Sequence, residues 1–464
     1  MVREVDVAII GAGSAGLFAL SQVRKKTDNF VLIDGGELGT TCARVGCMPS
    51  KVMVQVAEDF QRRKLFEREG IDGAEELSLD AAAALEHVQD LRDMFVDRTL
   101  HVTDELDEAH LIDGYAKFID VHTLEVNGEQ IRADKIIIAT GSTPLVPEAW
   151  DDFAEHVLTT DTIFELEELP ASLAVIGLGA IGLELGQALN RLGVEVTGVD
   201  QLTRVAGLQD EVVNQQAIDA IGKEFPLWLG EPAQLRAQDG KVEVLCGEQS
   251  AVVEKVLASL GRKPNLESLD LEKIGVTLDA RGIPEYNPLT MQLGDLPIFI
   301  AGDVNADRPV LHEAGHEGRV AGYNAVHQPV VAFKRKTALG ITFCEPNIAT
   351  VGAQLNELDT QAIAIGEIQF GPVGRALIIG KNRGVLRIYA QRSDGRLLGA
   401  AMVCVKGENL AHLIAWAIQQ ELTVFDMLKL PFYHPVIEEA LQAALYDVLS
   451  RLDVKHELVE LERV

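Results

Sequence analysis

Cys42 and Cys47, five residues apart in TTCARVGCMPSK, are the side chains of this 464-residue chain best suited to covalent chemistry. A thiolate attacks disulfides, and two thiols within reach of each other can alternate between dithiol and disulfide. A regular helix would hold Cα atoms five residues apart at roughly 8–9 Å. A disulfide tolerates at most about 7 Å. If these cysteines bridge, the backbone must leave the straight helix, and Gly46 and Pro49 are suitable breakers. The helix then runs on through VMVQVAEDF, which places the thiols near its N-terminal end, where a thiol pKa falls. Two cysteines are too few for structural zinc, which takes four ligands. A buried, inert pair is the alternative. Cys246, Cys344 and Cys404 stand alone in apolar runs and read as packing residues.

A thiol needs a base. PFYHPVIEEALQAALYDVL offers His434, with Glu438 and Glu439 close behind. Imidazole titrates near the working pH and accepts a thiol proton, while a nearby carboxylate orients it. Pro435 suits a first helical turn, so His434 is expected just outside a helix. The apolar spacing of ALQAALYDVL fits either a subunit interface or an ordinary core. His312 and His316 share one face of a helical stretch, but two ligands are insufficient, and no metal is assigned.

The elements that position these residues begin with a repeat. VDVAIIGAGSAGLFAL and LAVIGLGAIGLELGQAL each read as strand, Gly-rich turn and helix, with Gly11, Gly13 and Gly16 answering Gly177, Gly179 and Gly182. An acid closes the next strand in each unit, Asp34 and Asp200. The first glycine allows the tight turn, the second lets backbone approach a pyrophosphate, and the third lets helix pack on strand. The helix N-terminus offers N–H groups to the phosphates, and the acid accepts from a ribose diol. Two such units imply two dinucleotides exchanging a hydride. Asp200 should repel a 2′-phosphate, favouring NAD over NADP, although Arg204 nearby could accept one.

Composition agrees with a large globular enzyme. Hydrophobic residues make up 47% and charged residues 24%, close to ordinary usage. The net charge of −30 disfavours nucleic acid and anionic membrane surfaces as partners. No targeting segment is expected at the N-terminus, and no apolar run of about 18 residues is present to span a bilayer. Five cysteines are too few and too scattered for a secreted disulfide scaffold, so a cytoplasmic location is expected.

Taken in order, the first GxGxxG, TTCARVGCMPSK, the second GxGxxG, IFIAGD and HPVIEE resemble the class I flavin-dependent pyridine nucleotide-disulfide oxidoreductases, most closely the dihydrolipoamide dehydrogenases. The resemblance covers essentially the whole chain. It implies an α/β fold with two Rossmann-like dinucleotide-binding domains and a C-terminal α+β dimerisation domain. The corresponding spans are 1–147 for FAD, 148–268 for NAD, 269–337 for a central segment completing the FAD site, and 338–464 for the interface. It implies a homodimer, FAD and NAD as cofactors, and dihydrolipoamide or a lipoyl carrier protein as substrate. Cys42 then exchanges with substrate, Cys47 faces the flavin, and His434 held by Glu439 is the base, reaching the cysteines of the other subunit. Lys51 lies near flavin N5, paired with Glu184. The implied FAD contacts are Gly11, Gly13, Ser14, Gly16, Asp34, Gly35, Thr41, Cys42, Lys51, Ala116, Thr140, Gly141, Asp303 and Leu311. The implied NAD contacts are Gly177, Gly179, Ala180, Ile181, Gly182, Asp200 and Gly261.

Some residues depart from the family pattern. The run before the first cysteine is Gly39-Thr40-Thr41, Arg44 stands where Asn is common, Asp200 replaces Glu, and Tyr433 precedes the histidine. Arg44 could alter substrate preference. Among relatives, the Pro-Ser-Lys block and Asp200 argue against an NADPH glutathione reductase. The lack of cysteines after Cys404 argues against the terminal thiol pair of mercuric reductase. A flavoprotein subunit without dithiol turnover is disfavoured by the retained cysteines and His–Glu pair.

Overall fold

The computed structural model describes residues 2–455 and 459–461, so positions 456–458 and 462–464 of the expected interface span lie outside the described residues. Chain order begins β1 (Arg3–Ile10), α1 (Ser14–Val23), β2 (Phe30–Asp34), α2 (Thr41–Val45), α3 (Cys47–Arg62) and α4 (Ala81–Asp104). Strands β3 (Leu111–Asp113), β4 (Lys117–Asp120), β5 (Thr123–Val126), β6 (Glu129–Ile138) and β7 (Ser142–Pro144) follow. The apolar runs of β1 and β2 have no polar face to give to water, so they occupy the middle of a sheet in the order β3-β2-β1-β6-β5-β4. Pairing is parallel from β3 to β6, and β4 and β5 add an antiparallel meander.

A second unit holds β8 (Val157–Leu158), α5 (Thr160–Ile163), β9 (Ser172–Ile176), α6 (Ala180–Arg191), β10 (Glu195–Asp200), α7 (Glu211–Ile221) and β11 (Leu227–Leu229). A three-stranded meander follows, β12 (Gln234–Gln238), β13 (Lys241–Cys246) and β14 (Gln249–Val253), then β15 (Lys255–Ala258) and β16 (Arg262–Pro264). The parallel order is β11-β10-β9-β15-β8. Strands β7 and β16 pair antiparallel, tying the exit from the first unit to the return from the second.

The chain then rejoins the first sheet. β17 (Ile298–Ile300) pairs parallel with β6, and α8 (Leu311–Val326) packs on α1. Glycines set that contact: a Cβ on Gly318 would lie 2.2 Å from Ala15 O, and one on Gly322 2.4 Å from Ala19 O.

The last domain is β18 (Leu339–Thr342), β19 (Asn347–Gly352), β20 (Ile363–Gln369), α9 (Gly374–Ile378), β21 (Gly384–Gln391), β22 (Leu397–Cys404), α10 (Gly407–Gln419), α11 (Val424–Leu428) and α12 (Glu439–Leu449). Its antiparallel sheet runs β18-β19-β22-β21-β20. The apolar stripe of α12, Leu441, Ala444, Leu445 and Val448, is buried against its own sheet. The stripe is therefore core, which decides between the two readings of ALQAALYDVL.

Two local expectations are corrected. Pro49 breaks nothing: it sits buried in the first turn of α3, where a missing N–H costs no helical bond. Pro435, unlike Pro49, is not in a helical turn. α12 starts at Glu439, because the chain turns through 435–438 and the Glu439 carboxylate accepts the Val436 N–H at 3.0 Å. Among the described residues no helix is long and apolar enough to cross a membrane.

Candidate active site

The two Gly-rich turns have the same geometry. Gly11 has φ +107° and Gly177 φ +96°, a region open to glycine. A Cβ on either would strike a carbonyl at 2.3 Å, Ala139 O or Ser259 O. On Gly16 it would lie 1.9 Å from Gly11 O, and on Gly182 2.0 Å from Gly177 O. The middle glycines differ: around Gly13 and Gly179 a Cβ would meet nothing within 4 Å. Neither α1 nor α6 has a side-chain cap. Each helix thus presents free N–H donors to an open cradle, the arrangement that takes a pyrophosphate.

The acids do more than the sequence reading anticipated. Asp34 accepts from Ala12 N at 2.5 Å and Gly36 N at 2.8 Å, and Asp200 from Leu178 N at 2.7 Å and Leu202 N at 2.8 Å. A short aspartate at each strand end locks the turn beside it. Arg204 turns away to donate to Gln209.

The remaining predicted contacts fall around these turns. Ser14 and Ala180 open α1 and α6, and Leu311 opens α8. Ile181 is 36% exposed, and Ala116 is buried. Gly35 lies against the Tyr115 ring, which the sequence reading did not single out. Thr140 Oγ1 donates to Asn265 O at 2.7 Å, and Gly141 O accepts from Asn265 N. Ser142 Oγ donates to Asp303 Oδ2 at 3.1 Å, and Gly261 O takes the Leu145 N–H. Asn265 and Ser142 thus brace this corner from the β7–β16 ribbon.

Gly46 breaks the helix between the cysteines, with φ −131° and ψ −118°, so α2 ends at Val45 and α3 begins at Cys47. Thr40 caps α2 through Ala43 N, and Thr41 is its first residue. Both thiols are unbridged, with Cys42 half-buried and Cys47 exposed. The two side chains hydrogen-bond each other, which holds the Cys42 thiol protonated and raises its pKa further with burial. The same bond lowers Cys47 from 9.0 to about 7, helped by the Lys51 ammonium and the backbone N–H at the helix start. One sulfur is poised as the thiolate and the other as its proton donor. Arg44 folds back onto the Glu37 carboxylate and carbonyl.

Lys51, one turn along α3, meets Glu184 of α6 at 2.6 Å. Glu184 is only 4% exposed. Its other oxygen accepts Phe343 N at 2.8 Å, and Lys51 Nζ lies 5.0 Å from the Phe343 ring centroid. Phe343 was missed; its only signal was its place in FCEPN, two residues before Glu345. That glutamate, pushed up by burial, pairs with Lys381, which also binds Glu58 of α3. Three parts of the chain therefore clamp the helix that carries Cys47.

His434 Nδ1 lies 2.8 Å from Glu439 Oε1. That hydrogen bond and the Val436 N–H hold the Glu439 carboxyl below the usual range. The His434 side chain is 81% exposed. Its Nε2 has no partner among the described residues, and no contact within one chain brings it to the cysteines. On the same domain Trp416 and Tyr433 are 63% and 80% exposed.

The pyridine nucleotide-disulphide oxidoreductase family matches residues 5–319, and its dimerisation domain matches residues 339–445. Mercuric reductase of Staphylococcus aureus is 30% identical over 436 residues, covering 91% of this chain and 79% of that protein. Dihydrolipoyl dehydrogenase of Thermus scotoductus is 29% identical, covering 96% and 97%. Among solved structures, the Cu(II) complex of the HOCl-induced flavoprotein disulfide reductase RclA from Escherichia coli aligns with TM-score 0.83 at 21% identity, covering 96% of this chain and 99% of that one. LpdA from Mycobacterium tuberculosis aligns with TM-score 0.83 at 22% identity, also covering 96% and 99%. Those two likenesses establish the fold.

FAD fits the first cradle, with uncapped donors at α1, the Asp34 edge beside it and the Asp303–Ser142 pair beyond. Gly13→Val should therefore expel flavin while the protein stays folded; the flavin-to-protein absorbance ratio and circular dichroism check this. Full flavin occupancy in that variant would place the phosphates elsewhere. With its two Gly-rich cradles, its cysteine pair on a broken helix and its C-terminal dimerisation domain, the chain belongs to the pyridine nucleotide-disulphide oxidoreductase family, the flavoprotein disulfide oxidoreductases.

Proposed function

We propose that the protein oxidises a dithiol, dihydrolipoamide or a lipoyl group on a carrier protein, with NAD as acceptor. The observation that carries the reading is the cysteine pair on a helix broken at Gly46, with Cys47 opening α3 and the Lys51–Glu184 ion pair one turn further along. In the oxidised protein the two sulfurs form a disulfide. A substrate thiolate attacks Cys42, forming a mixed disulfide and releasing Cys47 as thiolate. The second substrate thiol then displaces Cys42, so the substrate leaves as its cyclic disulfide and the enzyme holds the dithiol. His434 Nε2, with Glu439 fixing Nδ1, takes the substrate proton. FAD, held at the first Gly-rich turn beside Lys51, would supply the two-electron carrier between the Cys42–Cys47 dithiol and the nicotinamide. The sum is dithiol plus NAD⁺ giving disulfide, NADH and a proton.

His434 serves the cysteines of the second subunit of a homodimer, which its exposure and the dimerisation domain support. Residues 1–147 with 269–337 form the FAD part, 148–268 the NAD part, and 338–464 the interface. Asp200 supports NAD: its carboxylate edges the ribose side of the cradle, and Arg204 is engaged with Gln209. Arg44 is tied to Glu37, so its charge is already matched within the chain.

Steady-state rates with dihydrolipoamide, lipoyl protein, glutathione and Hg(II), each with NAD(H) and NADP(H), test this. Dihydrolipoamide with NAD should give the highest kcat/KM. A preference for glutathione or Hg(II) with NADPH would overturn the substrate assignment.

A further inference from the structure

A cavity of about 300 Å³ opens where β20 and β21 approach the end of α12. Ile363, Ile365 and Glu367 alternate onto one face of β20, and Arg387 of β21 stands opposite Glu367. Arg392, just beyond β21, Arg451, just beyond α12, and Thr360 complete the wall. Three arginines and one glutamate around one small cavity are conspicuous in a chain of 41 basic and 71 acidic residues.

Their partners differ. Arg387 Nη1 lies 2.6 Å from Asp210 Oδ1, and its Nε 3.3 Å from Glu367 Oε2. Both oxygens of Asp447 accept from Arg451 Nη2, at 3.0 and 2.9 Å. Arg392 has no carboxylate partner among the described residues. Its Nη2 donates to Ile363 O at 2.7 Å and its Nη1 to Arg451 O at 3.3 Å, while its buried Nε has no acceptor. Two carbonyls fix the plane of this guanidinium, and no carboxylate among the described residues balances its charge. A held, half-buried cation of this kind calls for an anion. The planar fork of arginine matches the oxygens of phosphate and carboxylate. The volume lies at the lower end of small-molecule sites, and the two isoleucines give one wall an apolar face.

We propose that this cavity binds a small oxyanion, a phosphate or carboxylate group, with Arg392 as its main charge partner and Arg387 and Arg451 flanking it. The Thr360 hydroxyl is a further donor at the rim. None of these residues belongs to the dithiol centre, so the inference stands apart from the proposed reaction. Because Arg387 also holds Asp210, which caps α7 through Val212 N at 3.0 Å, a bound anion touches the seam between the second unit and the last domain.

The test uses FAD-loaded enzyme with saturating NAD, so that both Gly-rich cradles are filled. Thermal melting and titration calorimetry are run with inorganic phosphate and with acetate, against chloride at matched ionic strength. Phosphate, acetate or both should raise the melting temperature of the native enzyme. Arg392→Gln should abolish that response, and Arg392→Lys, which keeps charge but not the fork, should weaken binding at least tenfold. Both should retain flavin spectrum and basal dithiol turnover, and the distant Arg281→Gln should respond like the native enzyme. No shift with either anion in the native enzyme, or an equal shift in Arg392→Gln, overturns the proposal. If Arg392→Gln does not fold, native affinity in Arg392→Lys overturns it instead.

Discussion

Cys47→Ser is expected to retain flavin and lose dithiol turnover by about 10³-fold or more, since a covalent relay cannot run with one sulfur. The substitution replaces one sulfur by oxygen at the start of α3 and leaves Gly46, Lys51 and the Glu184 ion pair in place, so folding and flavin content should be unchanged. Cys42→Ser should be equally inactive with dithiol, yet it keeps the Cys47 thiol beside Lys51. The two variants therefore separate by spectrum rather than by rate. Stopped-flow reduction by dihydrolipoamide, with flavin absorbance as the signal, measures both. Native rates in either variant would contradict the relay.

His434→Gln is the second large effect. In the proposed reaction the imidazole removes a proton from a thiol that is mostly protonated at neutral pH, and loss of a positioned base costs about 10²–10⁴-fold in rate. The loss should fall on kcat for dithiol and spare flavin reduction by NADH, which needs no thiol deprotonation by His434. Raising the pH should recover part of the rate, because the substrate then ionises without help. Glu439→Gln removes the carboxylate that fixes Nδ1 but leaves the ring, so its effect should be smaller and should show in the pH profile. Equal losses with dithiol and NADH as reductants would assign His434 to structure instead of proton transfer.

Much of this site was legible in the chain because its parts are local. Each Gly-rich turn with its acid is a short repeat, and the parallel steric limits at Gly11 and Gly177 give spacing its meaning. The cysteine pair announced a break, and Gly46 supplies it. Pro49 was read wrongly for a physical reason: proline is permitted in a first turn, so its presence marks a helix start as readily as an end. Pro435 failed likewise, because the carboxylate of Glu439, not the proline ring, organises the turn before α12. Long-range partners were invisible. Phe343 N–H reaches Glu184 across 159 positions and Glu58 meets Lys381 across 323. No periodicity encodes such pairs; only the packing of the last domain against α3 and α6 brings them together. The Arg392 cavity is of the same kind, assembled from a loop, two strands and the end of a helix.

The central claim is that Cys47 is the thiolate facing the flavin, made acidic by Cys42 and Lys51. Its most direct test is the long-wavelength thiolate–flavin charge-transfer absorbance of the two-electron-reduced enzyme, followed against pH. The thiolate is the form above its pKa, so the band should grow as pH rises through about 7 and vanish below it. Lys51→Met should move that midpoint upward, and Cys42→Ser should keep a band that Cys47→Ser lacks. A band that persists in Cys47→Ser, or none in the flavin-loaded native enzyme, would contradict the account.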